Sequence, residues 1–279
     1  MVASNDIEFA DLSRERARLR VTGADRVMFL QGQCTNDVIK LAVGQSCYAA
    51  FLTAKGKMRG EGYVIRLPDA FLLETNIGLA PSLGKFVITE DVMIEDVSAV
   101  WREWLVIGEA EPNVAADAIT VRHPLGTIVI GHETLTATLN GESLDTMRIE
   151  AAVPKWGVDM DENTIPNEAG LEQRAISYDK GCYIGQETIA RIKTYGHVNR
   201  RLVQMAIVSG GSGFGPLIPS RGEKIFADER EAGQVTSATN SVRLGKIVAL
   251  GYVRREFART GTKLKINQQS VEVLKLCGA

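Results

Sequence analysis

An α+β chain that ends in a small all-β barrel is the fold predicted by three features of the sequence. Over roughly the first two hundred residues, short period-two strands alternate with helical stretches on short links. From Arg201 onward the helical patterns stop, and short apolar strands recur between glycine-containing turns. With 279 residues, 45% of them hydrophobic and 24% charged, the chain has enough apolar material for two or more cores. The predicted division is an α+β region over residues 1–202 and a barrel over residues 203–279.

Taken in order, Arg18–Thr22 alternates as a strand, and Gly23-Ala24-Asp25 supplies a turn and helix start before Arg26–Gln31. Ser46–Leu52 reads as a strand, Ala54–Lys57 as a hairpin loop, and Gly62–Leu67 as the returning strand, closed by Pro68-Asp69 before Phe71–Thr75. Ala80–Phe86 reads as a helix, followed by strands at Val92–Val97, Trp104–Ile107 and Thr127–Ile130. The barrel strands are predicted at Leu202–Val208, Gly222–Phe226, Glu231–Ser237, Ile247–Val253, Lys263–Ile266 and Val271–Leu276, with Gly210–Gly215 as a loop between the first two.

A formal charge of −2 gives no global electrostatic reason to expect nucleic acid or an anionic membrane as partner. No run reaches the eighteen or so apolar residues that a bilayer span requires, and Met1–Arg20 has no signal-peptide core, so a cytoplasmic location is expected. Cys34, Cys47, Cys182 and Cys277 show no CxxC spacing, and His123, His132 and His197 share no motif with acids or cysteines, so no metal is expected. Glycine spacing fits neither a dinucleotide fingerprint nor a Walker loop.

The segment with most chemical content is Lys180-Gly181-Cys182-Tyr183-Ile184-Gly185-Gln186-Glu187, where two glycines frame a cysteine and a Gln-Glu pair opens a helix. Spacing alone leaves two readings. Cys182 is either a small buried apolar residue between turn glycines, or a thiol whose pKa is lowered by Lys180 and the helix start.

This segment resembles the Lys-Gly-Cys-Tyr/Phe-x-Gly-Gln-Glu signature of the YgfZ family, relatives of the glycine-cleavage T-protein. Asp145–Glu150, Trp156–Met160, Ile165–Leu171, Gln31–Asp37, Gly233–Ser237 and Ile247–Val253 are also similar to T-protein segments. The resemblance implies a ring of subdomains, two of them interleaved in the α+β region, around a reduced folate. It implies Cys182 and Lys180 as the catalytic pair. Gln33, Asn36, Asp37, Arg148, Glu150, Tyr183, Gly185, Gln186 and Glu187 become the expected contacts to tetrahydrofolate or a one-carbon derivative, with Tyr48 and Phe51 as further walls. Iron–sulfur client or assembly proteins are the implied partners.

One departure bears on activity. Where T-proteins carry a catalytic aspartate in the hairpin, this chain has Gly60 and Glu61, flanked by Lys55, Lys57 and Arg59. The leading expectation is therefore a tetrahydrofolate-binding factor in iron–sulfur cluster assembly or repair. An aminomethyl or methyl transferase, and a folate-binding module without chemistry, remain as alternatives.

Overall fold

The computed structural model describes residues 7–108, 114–209 and 216–278, so the predicted Gly210–Gly215 loop lies outside the described residues. The chain divides into two compact units, one of residues 1–144 and 175–186, the other of residues 145–174 and 187–279.

The first unit holds β1 (Glu8–Asp11), β2 (Arg16–Thr22), α1 (Arg26–Gln33), β3 (Ser46–Leu52), β4 (Met58–Arg66), β5 (Phe71–Asn76), α2 (Leu79–Gly84), β6 (Met93–Asp96), β7 (Arg102–Ile107), β8 (Ile119–His123) and β9 (Gly126–Gly131). They form two antiparallel sheets, a five-stranded one in the order β3-β4-β5-β2-β6 and a four-stranded one in the order β1-β7-β9-β8. Period-two alternation assigns the two faces of the larger sheet to different cores. Leu19, Val21, Val64, Phe71 and Leu73 pack against Phe29 and Leu30 of α1, while Tyr63, Ile65 and Leu72 pack against Leu105, Ile128 and Ile130 of the smaller sheet. β5 is buried along its whole length because both its faces are covered.

Three helices follow, α3 (Gly141–Ala151), α4 (Glu172–Ala175) and α5 (Gln186–Tyr195). The second unit is built on β10 (Arg200–Ser209), β11 (Lys224–Ala227), β12 (Arg230–Ser241), β13 (Lys246–Arg254), β14 (Lys263–Ile266) and β15 (Gln269–Leu276). These six strands close into a barrel in the order β10-β13-β12-β11-β14-β15, filled by Val203, Met205, Ile225, Val235, Ala249, Ile266 and Val273. The α+β part and the terminal barrel are the predicted fold class.

Segment 165–171 is seated on the end of the barrel chain by two glycines. Gly170 has φ +77°, and a Cβ there would fall 1.8 Å from the Cys277 carbonyl oxygen; one on Gly278 would fall 1.7 Å from the Gly170 carbonyl oxygen. Only residues without side chains allow backbones to cross this closely. Among the described residues, no helix is long and apolar enough to cross a membrane.

Candidate functional site

In the first unit, the end of α1 and the turn that follows carry Gln33, Asn36 and Asp37, and nearly every polar group of this stretch is engaged. Thr35 is the pivot. Its hydroxyl donates to the Ala175 carbonyl at 2.5 Å and accepts from Ala50 N–H at 2.9 Å, while its carbonyl accepts from Ser177 N–H at 3.0 Å. Asn36 donates to the Tyr48 carbonyl, and Gln31 donates to Asp37 while accepting from Val38 N–H. Burial pushes the Asp37 carboxyl up, but Lys40 at 3.1 Å and Gln31 outweigh it and hold the group below the ordinary carboxylate range. Gln33 accepts from Arg59, whose guanidinium also donates to the Leu52 carbonyl and Ser82 and lies over the Phe86 ring.

Lys180 reaches into this stretch. Its Nζ donates to the carbonyls of Gln31 at 2.7 Å, Cys34 at 2.6 Å and Asn36 at 2.8 Å, and stands 5.0 Å above the Tyr183 ring. All three donors of the ammonium are thereby used. Two of the acceptors belong to the last turn of α1 and its cap, where carbonyls lack intrahelical partners and a cation is favoured. Burial lowers the Lys180 pKa, opposed by the nearby Cys34, Asp37 and Cys47.

The reading of Cys182 as buried is overturned: the thiol is exposed, as is Gly181. The reading of Lys180 as its activator also meets a correction. The ammonium is turned inward onto carbonyls, and the thiols near it are Cys34 and Cys47, whose pKa values burial raises, that of Cys47 to about 12. The start of α5 lies four residues beyond Cys182, outside the single turn over which a helix end acts. Tyr183 is buried, and burial raises its hydroxyl to about 12. Gly185, at φ +85°, lets the segment lie on the β3–β4 hairpin, since a Cβ there would come 2.6 Å from the Thr53 carbonyl oxygen. Gln186 opens α5, and the exposed Glu187 pairs with Arg191 one turn later.

The hairpin does not present Glu61 as a free carboxylate. Glu61 is buried, paired with Arg16 at 2.5 Å and bonded by the Tyr48 hydroxyl at 2.6 Å. Burial raises its pKa, but Arg16 and then Tyr48 outweigh that and keep it below the ordinary range. Gly60 faces Asn76: a Cβ there would lie 2.2 Å from Asn76 Oδ1, which accepts the Glu61 N–H. Phe51, expected as a ligand wall, is instead part of the core under α1.

In the second unit, Arg148 and Glu150 sit on the last turn of α3. Arg148 pairs with Asp159 at 2.6 Å and Asp145 at 2.7 Å, with its Nη2 buried and unpartnered. Asp159 accepts further from Thr236 and Ser237, each at 2.5 Å, and from Lys155 N–H. The Glu150 carboxylate accepts from Ser241 and from Arg243 at 2.6 Å. A cavity of about 300 Å³ opens beside Asp159, lined by Thr164, Arg200, Arg221, Thr236 and Tyr252. Sequence reasoning did not single out Asp159, Arg16 or Asn76; the Gly157-Val158-Asp159-Met160 motif was the available signal for the first. No group of three or more metal-ligating side chains comes together among the described residues.

Residues 3–120 match the family model described as the GCVT N-terminal domain, and residues 200–275 match the glycine cleavage T-protein C-terminal barrel domain. An uncharacterized protein of Haemophilus influenzae is 31% identical over 235 residues, covering 80% of this chain and 81% of its own. The aminomethyltransferase of Thermosynechococcus vestitus is 40% identical over 122 residues, 44% of this chain and 31% of that protein, so this chain matches under a third of its length. The crystal structure of the glycine cleavage system aminomethyltransferase T from Bartonella henselae superposes with a TM-score of 0.80 at 18% identity, covering 98% of this chain and 86% of that one. At that identity the likeness is one of fold.

Proposed function

The chain belongs to the glycine-cleavage T-protein family, and from that premise we propose that it binds tetrahydrofolate or a one-carbon derivative and supports assembly or repair of iron–sulfur clusters, as the YgfZ branch it resembles does. The observation that carries this reading is the Lys180 anchor. One buried ammonium fixes the Gln31–Asn36 carbonyls from within the signature segment, while Cys182, two residues on, faces solvent. An exposed thiol on a rigid mount suits chemistry with a partner protein better than a buried one.

The residues present fit a pterin. Recognition of its amino and imino groups calls for a carboxylate held anionic, and the first unit offers Asp37, held below the ordinary carboxylate range by Lys40 and Gln31.

Equilibrium titration of the purified protein with tetrahydrofolate tests the binding; absence of binding ends the proposal. The thiol is tested in a strain lacking the protein: Cys182→Ala is expected to leave iron–sulfur enzyme activity low, and full restoration removes Cys182 from the function. Aminomethyl transfer is the second reading, favoured by relatives named aminomethyltransferase. Gly60 and the engaged Glu61 stand against it, and lipoyl-protein-dependent formation of methylene-tetrahydrofolate decides for it.

A further inference from the structure

The apolar contact between the two sheets of the first unit gives way at one edge to charge. Arg16 and Arg18 of β2, Glu61 of β4, Glu74 of β5 and Glu103 of β7 meet there, three carboxylates against two guanidiniums. Arg16 joins Glu61 and Glu74. Arg18 is 0% exposed, and its fork is filled by main-chain carbonyls, those of Trp101, Arg16, Ser13 and Ser98. Glu103 Oε2 is left 3.6 Å from Arg18 Nη1, too far for a hydrogen bond.

Glu103 itself is 0% exposed, and neither of its oxygens receives a hydrogen bond. An ionised carboxylate without a donor is among the costliest groups to bury. Glu74 lies on the same face of β5 as Leu72, and Glu103 on the same face of β7 as Leu105, the two faces that pack together, and two carboxylates brought close in a buried layer resist being ionised together. A proton on Glu103 removes both difficulties, because the carboxyl then supplies the missing donor.

We propose that Glu103 is protonated in the folded protein and donates to Glu74, so that a carboxylic acid–carboxylate pair locks β7 of one sheet onto β5 of the other and opens as pH rises. Burial drives the Glu103 carboxyl well above its ordinary range, Glu74 adds to this, and Arg16 and Arg18 oppose it. On the same side, β1 and β9 contribute Ala10, Ile128 and Ile130. The remaining titratable neighbours, Tyr48, Tyr63 and His123, gather around Glu61, at the other end of the Glu74–Arg16–Glu61 chain. In the unfolded chain Glu103 loses its proton near the ordinary value, about 4.3. The stability it contributes is therefore full below that pH and is lost as pH rises toward the folded-state value.

Glu103→Gln tests this, since the amide keeps a donor toward Glu74 and cannot ionise. In denaturant unfolding of the full chain, the ratio of folding constants, variant over wild type, is expected to rise with pH above about 4.3, by at most about tenfold per pH unit. A ratio independent of pH, or one that falls, overturns the proposal. Infrared spectroscopy gives a second reading at pH 7 that does not depend on reversible unfolding: wild type is expected to show the carbonyl band of an un-ionised carboxylic acid, absent from Glu103→Gln. No such band, or a band that survives the substitution, overturns it equally.

Discussion

Arg148 and Asp159 form a buried ion pair at 2.6 Å, with side-chain exposures of 5% and 0%. Three segments end on it: the last turn of α3 through Arg148, the Gly157–Met160 turn through Asp159, and, far along the chain, β12 through Thr236 and Ser237. Three of the T-protein-like segments of the second unit, 145–150, 156–160 and 233–237, are thus joined through one carboxylate whose hydrogen-bonding capacity is filled.

Asp159→Asn keeps the shape of that carboxylate and removes its charge, leaving the buried Arg148 guanidinium with only the half-exposed Asp145 as a counter-charge. Breaking a buried pair by neutralising one partner costs about 3 kcal/mol or more. Urea unfolding monitored by fluorescence should show that loss; a variant within about 0.5 kcal/mol of wild type, the range of ordinary surface changes, would mean that Thr236, Ser237 and Lys155 N–H carry the site without the charge.

Lys180 and Cys182 separate cleanly by their stability effects. Lys180→Met strands three carbonyls at the end of α1, and with each lost charged hydrogen bond worth about 1.5–3 kcal/mol a loss of about 3 kcal/mol or more is expected, together with weakened folate binding. Cys182→Ser, at an exposed position, should unfold within about 0.5 kcal/mol of wild type. Thermal and denaturant unfolding of the two variants side by side checks the contrast, and equal effects would contradict it.

Gly60→Asp tests one of the two positions, Gly60 and Glu61, that the resemblance sets against the T-protein aspartate, and the space there is taken. Its Cβ would meet Asn76 Oδ1 at 2.2 Å, displacing the acceptor of the Glu61 N–H. The variant is expected to lose about 2 kcal/mol or more through overpacking and a broken buried hydrogen bond, and to gain no aminomethyl transfer. Measurable methylene-tetrahydrofolate formation by this single variant would refute the reading.

Glu61 gives the acid limb of stability. Its folded-state pKa is depressed by Arg16 and Tyr48 against the pull of burial, so its stabilisation is present above the unfolded value, about 4.3, and lost as pH falls through the folded one. Between pH 6 and 3, wild type should lose more stability than Glu61→Gln, which has no carboxyl to protonate. Parallel curves for the two proteins would show that Glu61 titrates normally.

Much of the fold is legible because it follows local periodicity. Ser46–Leu52 and Lys263–Ile266 have the bounds that their alternation predicts, and Asp25 precedes α1 as the turn signal indicated. α3 escapes such reading: it begins at a glycine, and only Arg148 and Ile149 are buried, so it has almost no apolar stripe. β1 and β8 are short edge strands of four and five residues, whose pairing with β7 and β9 rather than their composition makes them strands. The surroundings of Lys180 are hidden for a different reason. Its three acceptors are main-chain oxygens 144 to 149 residues away, and carbonyls leave no mark on the sequence. A cysteine two residues off is conspicuous in the chain, and proximity along the chain suggested a pairing that the fold directs elsewhere.

The closed barrel of the second unit has consequences for self-association. Six strands returning on themselves leave no row of unpaired amides for another chain to extend. The open sheets of the first unit carry that hazard, and three of their four edges, β1, β6 and β8, are treated differently. The outer side of β1 is occupied by Thr138 and Leu139, which bond to Phe9. β6 is only four residues long and exposes Glu95 and Asp96, while β8 exposes Arg122. Resistance to edge-to-edge aggregation therefore comes from closure in one half of the protein and from brevity, charge and cover in the other.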